Sequence, residues 1–163
     1  NGYFSRPAGS SSIPTGGNPY TLSVWVQLGS IWSAQGFIGI GDGYGTVDAV
    51  NAFRSEGTNN LLNYWWGNDF GQSFSPTSSS AWMNVIASYD GNTRTLWANG
   101  NSIGSQSILG LNVTDNYLSI GLTWPSGSEY LNGNIGQAMI YNRALTSGEV
   151  TQNFNYFRTR YGV

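Results

Sequence analysis

The densest gathering of residues able to do chemistry is Asn63-Tyr64-Trp65-Trp66-Gly67-Asn68-Asp69. Sugars present apolar C–H faces that stack on Trp and Tyr rings, and hydroxyls that pair with Asn, Asp, Gln and Arg; such a run suits a glycan. On an extended strand Leu61, Asn63 and Trp65 share one face, and Leu62, Tyr64 and Trp66 share the other. The polar Asn63 marks the first face as the solvated one. Trp65 and Asn63 are therefore the expected centre of a site, and Trp66 an expected core residue. Arg54, on the strand before, is expected beside them, with Asn68 and Asp69 following. Trp124, Tyr44 and Trp32 stand next to Gly- or Ser-rich loops and are rim candidates. For Trp65 and Trp124 packing and an exposed role both stay open, because a Trp rarely hides completely in either case.

Catalysis has less to work with. The eight acids are Asp42, Asp48, Glu56, Asp69, Asp90, Asp115, Glu129 and Glu149. No expected strand carries two of them, and the nearest pair, Asp42 and Asp48, spans a glycine loop. Acids distant in sequence can still meet in a fold, so this lowers an enzymatic reading without removing it. With no His, the commonest general base and metal ligand is missing; with no Lys, Schiff-base chemistry is excluded. With no Cys, there is neither a disulfide framework nor a thiolate zinc site. Asp42 and Asp48, flanked by Gly, are candidates for holding Ca²⁺, although no defined calcium loop is present and aspartates beside Gly more often cap turns.

These residues need a frame, and composition points to strands. Charged residues are 9% of the 163, aromatics are 15%, and there are 23 glycines. Low charge with many aromatics describes a folded chain, and abundant Gly, Ser, Asn and Thr fits short strands joined by turns. The length suits one domain over residues 1–163. A net charge of −2 without a basic cluster argues against nucleic acid, and the short alternating apolar runs argue against a membrane span. The start at Asn1, without Met or a leader pattern, reads as an excised domain of a larger protein. The scarcity of charge suits an extracellular surface. Asn112-Val113-Thr114 is a glycosylation sequon if the chain travels a eukaryotic secretory route.

Strand periodicity is clearest over Tyr20 to Leu28, where Tyr20, Leu22, Val24, Val26 and Leu28 alternate with Thr21, Ser23, Trp25 and Gln27. Further strands are expected from Tyr3-Phe4, Phe37 to Ile40, Val47 to Arg54, Leu61 to Trp66, Trp82 to Tyr89, Thr93 to Ala98, Tyr117 to Trp124 and Asn134 to Tyr141. Asp90-Gly91 and Asn99-Gly100 mark hairpin turns. Ser147 to Arg160 is the one helical candidate, capped at Ser147, with Val150, Phe154 and Phe157 on one stripe.

Trp82-Met83-Asn84-Val85-Ile86-Ala87-Ser88-Tyr89-Asp90-Gly91, with the return strand Thr93-Arg94-Thr95-Leu96-Trp97-Ala98-Asn99-Gly100, resembles the central hairpin of laminin-G-like domains of the concanavalin A-like lectin/glucanase superfamily. Trp97 stands where those domains usually have Tyr. Gly133 to Tyr141, followed by Asn142-Arg143-Ala144-Leu145, resembles their closing strand and turn. Tyr20 to Gln27 resembles the early strand, and Leu118-Ser119-Ile120-Gly121 the late one. The marks span most of the chain in family order. The resemblance implies an all-β jelly-roll sandwich of two antiparallel sheets with a short C-terminal helix. Trp25 and Trp82 match positions that family uses for packing.

The fold hosts lectins, adhesive domains and glycosidases alike, so it implies no single activity. The glucanase branch sets its carboxylates on one strand, since alternate residues face the same sugar, roughly 5–5.5 Å apart in retaining enzymes; this chain lacks that pattern. Arg54-Ser55-Glu56 faintly resembles an alginate-lyase strand, but that branch also needs His- and Lys-bearing motifs. The expected function is a non-catalytic carbohydrate-binding or adhesion domain of an extracellular, cell-surface or viral-fibre protein, its partner a glycan or polysaccharide. The alternatives are a structural or protein-interaction jelly roll without a sugar site and, less favoured, a glycosidase or polysaccharide lyase.

Overall fold

Alternating side chains give each strand of this protein two unlike faces, and two sheets bury the apolar ones against each other. The computed structural model describes residues 2–7, 12–30, 34–41, 45–57, 59–74, 80–114, 117–124 and 127–163. In chain order the elements are β1 (Phe4–Arg6), β2 (Tyr20–Leu28), β3 (Gln35–Ile40), β4 (Asn51–Glu56), β5 (Asn60–Tyr64), β6 (Phe70–Ser73), β7 (Trp82–Tyr89), β8 (Thr93–Ala98), β9 (Asn101–Ser107), β10 (Leu118–Ile120), β11 (Gly133–Tyr141) and α1 (Ser147–Tyr161). A six-stranded sheet runs β1-β10-β3-β4-β5-β6 and a five-stranded sheet β11-β2-β7-β8-β9. Every pairing is antiparallel. This is the expected all-β sandwich.

Between the sheets lie Leu22, Val24 and Val26 of β2, Phe37, Ile38 and Ile40 of β3, Phe53 of β4, Val85 of β7 and Leu96 of β8, all fully buried. Each such side chain contributes on the order of 1.5–3 kcal/mol relative to an exposed one. The segment after β10 then folds back across the outer side of β3. Gly36 and Gly39 permit this, because a Cβ at either would lie 2.0 Å from Thr123 N or 1.9 Å from Thr123 O. Backbone occupies the place of side chains there, and the segment is carried on toward Trp124.

Two strands were not legible in the sequence. β6 and β9 are both sheet edges, and their Gly, Gln, Ser and Asn residues show no apolar alternation. β4 begins at Asn51 rather than Val47, because residues 46–49 turn instead, with Asp48 at φ 61°. The helix is capped by Thr146, one residue before the expected Ser147. Thr146 Oγ1 accepts from the Glu149 N–H while the Glu149 carboxylate accepts from the Thr146 N–H, a reciprocal box that satisfies two end donors.

Candidate functional site

β4 and β5 pair with Phe53 opposite Asn63 and Arg54 opposite Leu62. Phe53 faces the inter-sheet core, so Asn63 and Trp65 face it too, and both are wholly buried. The expected parity of this strand is reversed. Trp65 and Asn63 do not form a solvated centre, and Arg54 lies on the opposite face from them. The physical reason is a closed polar network inside the sandwich. Tyr20 Oη donates to Asn63 Oδ1 at 2.7 Å, and Trp65 Nε1 donates to Tyr20 Oη at 3.2 Å. Asn63 Nδ2 donates to Asn51 Oδ1 and to the Ala52 carbonyl, both at 3.0 Å. A buried amide with its partners in place costs little, so polarity was a poor guide to exposure.

Arg94 of β8 completes that interior. Its guanidinium lies 4.3 Å over the Trp65 ring and 5.3 Å over Phe70. Nε and Nη2 donate to Gln106 Oε1, and Nη2 also to the Asn68 carbonyl. Burial lowers the Arg94 pKa, opposed mainly by the nearby Tyr20, Asp69 and Asp48. Burial also pushes the Tyr20 hydroxyl up, against its hydrogen bond with Trp65 and the charge of Arg94.

The even-numbered residues of the same strands build a different surface on the outer side of the six-stranded sheet. Val50, Ala52, Leu62, Tyr64 and Trp124 form an apolar cluster, with half-buried Trp66 at its edge. Tyr64 and Trp124 stack with centroids 5.2 Å apart and planes at 12°, and Trp66 meets Tyr64 edge-on at 5.9 Å. The Arg54 guanidinium sits 4.6 Å over the Tyr64 ring. Its Nη1 donates to Glu129 Oε1 and its Nη2 to Glu56 Oε1 at 3.3 Å. Glu129 Oε2 also accepts from Thr123 Oγ1 at 2.7 Å. Gly127 lies against the other side of Trp124, where a Cβ would come within 2.9 Å of the indole. Tyr64 and Trp124 are thus enclosed, 4% and 7% exposed, while Trp66 and the two glutamates open toward solvent.

Trp66 is held in the left-handed backbone region at φ 51°, uncommon for a bulky side chain. The Asp48 N–H donates to the Trp65 and Trp66 carbonyls at 2.8 and 3.1 Å, and Asp69 Oδ1 accepts from the Trp65 N–H at 3.0 Å. Both oxygens of Asp48 accept from Asn68 Nδ2, at 2.9 and 2.8 Å. Asp48, Asn68 and Asp69 therefore brace the turn that presents Trp66. No group of three or more His, Cys, Asp or Glu placed to hold a metal occurs among the described residues. Asp42, the other half of the expected calcium pair, lies outside them, as do Tyr44 and Trp32.

Of the expected site residues, then, Arg54 and Trp124 meet on the outer face, Asn68 and Asp69 border it, and Asn63 and Trp65 are inside. Tyr64, Trp66, Glu56, Glu129 and Thr123 were missed as a cluster. The available signal was the alternation of Ala52, Arg54 and Glu56 on β4; Glu129 comes from a distant loop with no local mark.

A laminin-G-type family profile described as the concanavalin A-like lectin/glucanases superfamily matches residues 1–151. The chain belongs to that superfamily. No curated protein matches it in sequence. Among solved structures, the botulinum neurotoxin serotype G binding domain aligns with TM-score 0.73 and 12% identity over 94% of this chain. This chain spans only 40% of that one. The Ruminococcus gnavus IT-sialidase CBM40, bound to α2,3-sialyllactose, gives TM-score 0.70 and 15% identity, covering 93% of this chain and 98% of its own. Domain 4 of AbnA, a GH43 extracellular arabinanase from Geobacillus stearothermophilus in complex with arabinotriose, gives TM-score 0.60 and 20% identity, covering 91% and 70%. At these identities the likeness establishes the concanavalin A-like fold.

Proposed function

We propose that this concanavalin A-like domain is a non-catalytic carbohydrate-binding module of an extracellular or surface protein, working through the outer face of the six-stranded sheet. The observation that carries the proposal is the rim of the aromatic cluster. Trp66 is half-buried and held in an uncommon backbone conformation at the edge of the cluster, on the same sheet face as Arg54, which binds the carboxylates of Glu56 and Glu129. Strain of that kind persists only where the surroundings enforce it, and it gathers at ligand sites. One residue of an oligosaccharide stacks on Trp66 beside the Asn68–Asp69 turn, and hydroxyls of further residues along the same chain reach Glu129 and Glu56. The sialyllactose and arabinotriose complexes of the two neighbours are in keeping with this reading.

Hydrolysis fits the same residues badly. Glu56 and Glu129 both bind Arg54, whose guanidinium lies between them as counter-ion to both. A glycosidic bond has no access to the space between the carboxylates while the guanidinium occupies it, and paired-carboxylate hydrolysis needs that space. The enclosure of Tyr64 and Trp124 favours a second reading, in which the cluster is only packing and the domain binds protein. Trp66→Ala separates the two. On a glycan array the substitution is expected to weaken binding about tenfold or more with the melting temperature little changed, by the usual weight of an aromatic anchor. Full-strength glycan binding by a folded Trp66→Ala variant removes this face as the site.

A further inference from the structure

The charge arrangement of this face says which sugars it takes, provided it is the glycan site proposed above. Two carboxylates share one cation there: Arg54, with its side chain 8% exposed, lies between Glu56 at 46% and Glu129 at 23%. The turn bordering Trp66 adds Asp48 and Asp69. Arg94, buried beneath that turn, lies near Asp48 and Asp69 and offsets part of their charge. The remaining described cations are elsewhere: Arg143 pairs with Glu149 at 2.7 Å, Arg158 and Arg160 are on α1 behind the other sheet, and Arg6 is on β1, three strands away from β4. Against the four carboxylates of Glu56, Glu129, Asp48 and Asp69 stand two buried guanidinium groups, Arg54 and Arg94, so a carboxylated sugar arriving at this face meets net negative charge, and the guanidinium on the face itself is already flanked on both sides.

Hydroxyls meet the opposite situation. An ionised carboxylate only accepts hydrogen bonds and offers about four lone-pair positions, so each glutamate keeps capacity after binding Arg54. Arg54 Nε is buried with no acceptor, in a side chain more than nine-tenths buried, and so offers an incoming anion no accessible donor. Donors and neutral acceptors suit such a site; a further anion crowds it. Specificity here comes from a built-in repulsion as much as from attraction. We infer that this face selects neutral oligosaccharides and rejects sialylated and uronic-acid ones. The fold does not decide the matter, because its neighbours include a domain bound to sialyllactose and another bound to arabinotriose.

The test compares lactose, 3′-sialyllactose and arabinotriose by calorimetric titration, alongside an array of neutral and acidic glycans. A neutral member is expected to bind, with its sialylated counterpart at least tenfold weaker, about 1.4 kcal/mol. Raising salt from about 0.01 M to about 1 M is expected to strengthen sialylated binding and leave neutral binding unchanged, since repulsion is screened. Glu56→Gln, at an exposed position, is expected to narrow the gap without affecting folding, and Glu129→Gln to narrow it further. Sialyllactose binding as tightly as lactose, with Trp66→Ala abolishing both, overturns the selectivity while leaving the glycan site in place. Binding to no member of the array, or binding indifferent to Trp66→Ala, overturns both.

Discussion

The two outer faces of the sandwich both carry clustered aromatic rings and treat them differently. Behind the five-stranded sheet, Trp25 is wholly buried, stacked on Tyr161 at 4.3 Å and on Phe154 at 5.8 Å, and Trp82 leans on Tyr161 at 4.9 Å. Trp97 gives its indole N–H to Ser88 Oγ at 3.0 Å, and Ile86 packs with Leu145 and Val150. Thr21 Oγ1 donates to the Arg143 carbonyl and accepts the Leu145 N–H, which pins the turn into α1 against the sheet. A helix thus closes that face. Over the six-stranded sheet the rings stack on one another and on Arg54, beneath the segment that follows β10. Among the described residues no helix lies over this cluster. Aromatic content alone does not tell the two faces apart; what covers the rings, and whether charges stand among them, does.

The largest expected effect tests the direction of β5. Trp65→Ala empties a buried site under Arg94 and Tyr89 and is expected to cost about 3–5 kcal/mol, whereas half-buried Trp66→Ala should cost well under half of that. Chemical denaturation of both variants measures it. Equal losses would mean that Trp66 is as much a packing residue as Trp65, and the contrast between the faces would weaken.

Next in size, Trp25→Ala removes the ring that α1 grips. The expected loss is about 2–4 kcal/mol, smaller than at Trp65 because the helix can settle toward the gap. Hydrogen exchange should show α1 losing protection before the sheets do. The glycan binding proposed for the opposite face should survive in the folded fraction. If binding disappears while the sheets stay protected, the faces are coupled.

The smallest effect concerns the start of the helix. The hydrogen bond from Arg143, helped by the Thr146 N–H, holds the Glu149 carboxyl at about 2, down from 4.5. A folded value below the unfolded one gives stability that is present above about pH 4.5 and lost as pH falls through about 2. Following the Glu149 carboxyl carbon by NMR should place its midpoint near 2, and Arg143→Gln should raise it. A midpoint at the ordinary glutamate value in the unaltered protein would show that the Arg143–Glu149 pair does not form in solution.

The sandwich itself was readable because Tyr20–Leu28 and Trp82–Ala98 alternate strongly, and because the Gly133–Leu145 stretch resembles the closing strand and turn of its family. The site was less so. Asn63 was judged by polarity, whereas its neighbour across the ladder decides its face: Phe53 is apolar, so Asn63 goes inward with it. The register of β4 on β5 sets that partner, and a slip of one residue would have put Arg54 on the face of Trp65. Glu129 joins Arg54 across 75 residues of sequence, a meeting that depends on two glycines letting the 121–124 backbone lie flat on β3. Periodicity within one strand carries no trace of such a contact.

Because α1 packs behind the five-stranded sheet, its last turn lies on the side away from Trp66. A support or scaffold attached at that end would hold every copy with its six-stranded face outward. Copies displayed this way could engage neighbouring branches of one polysaccharide together, so a site that is weak singly would gain retention through local concentration, as long as the spacing of the copies matches that of the branches.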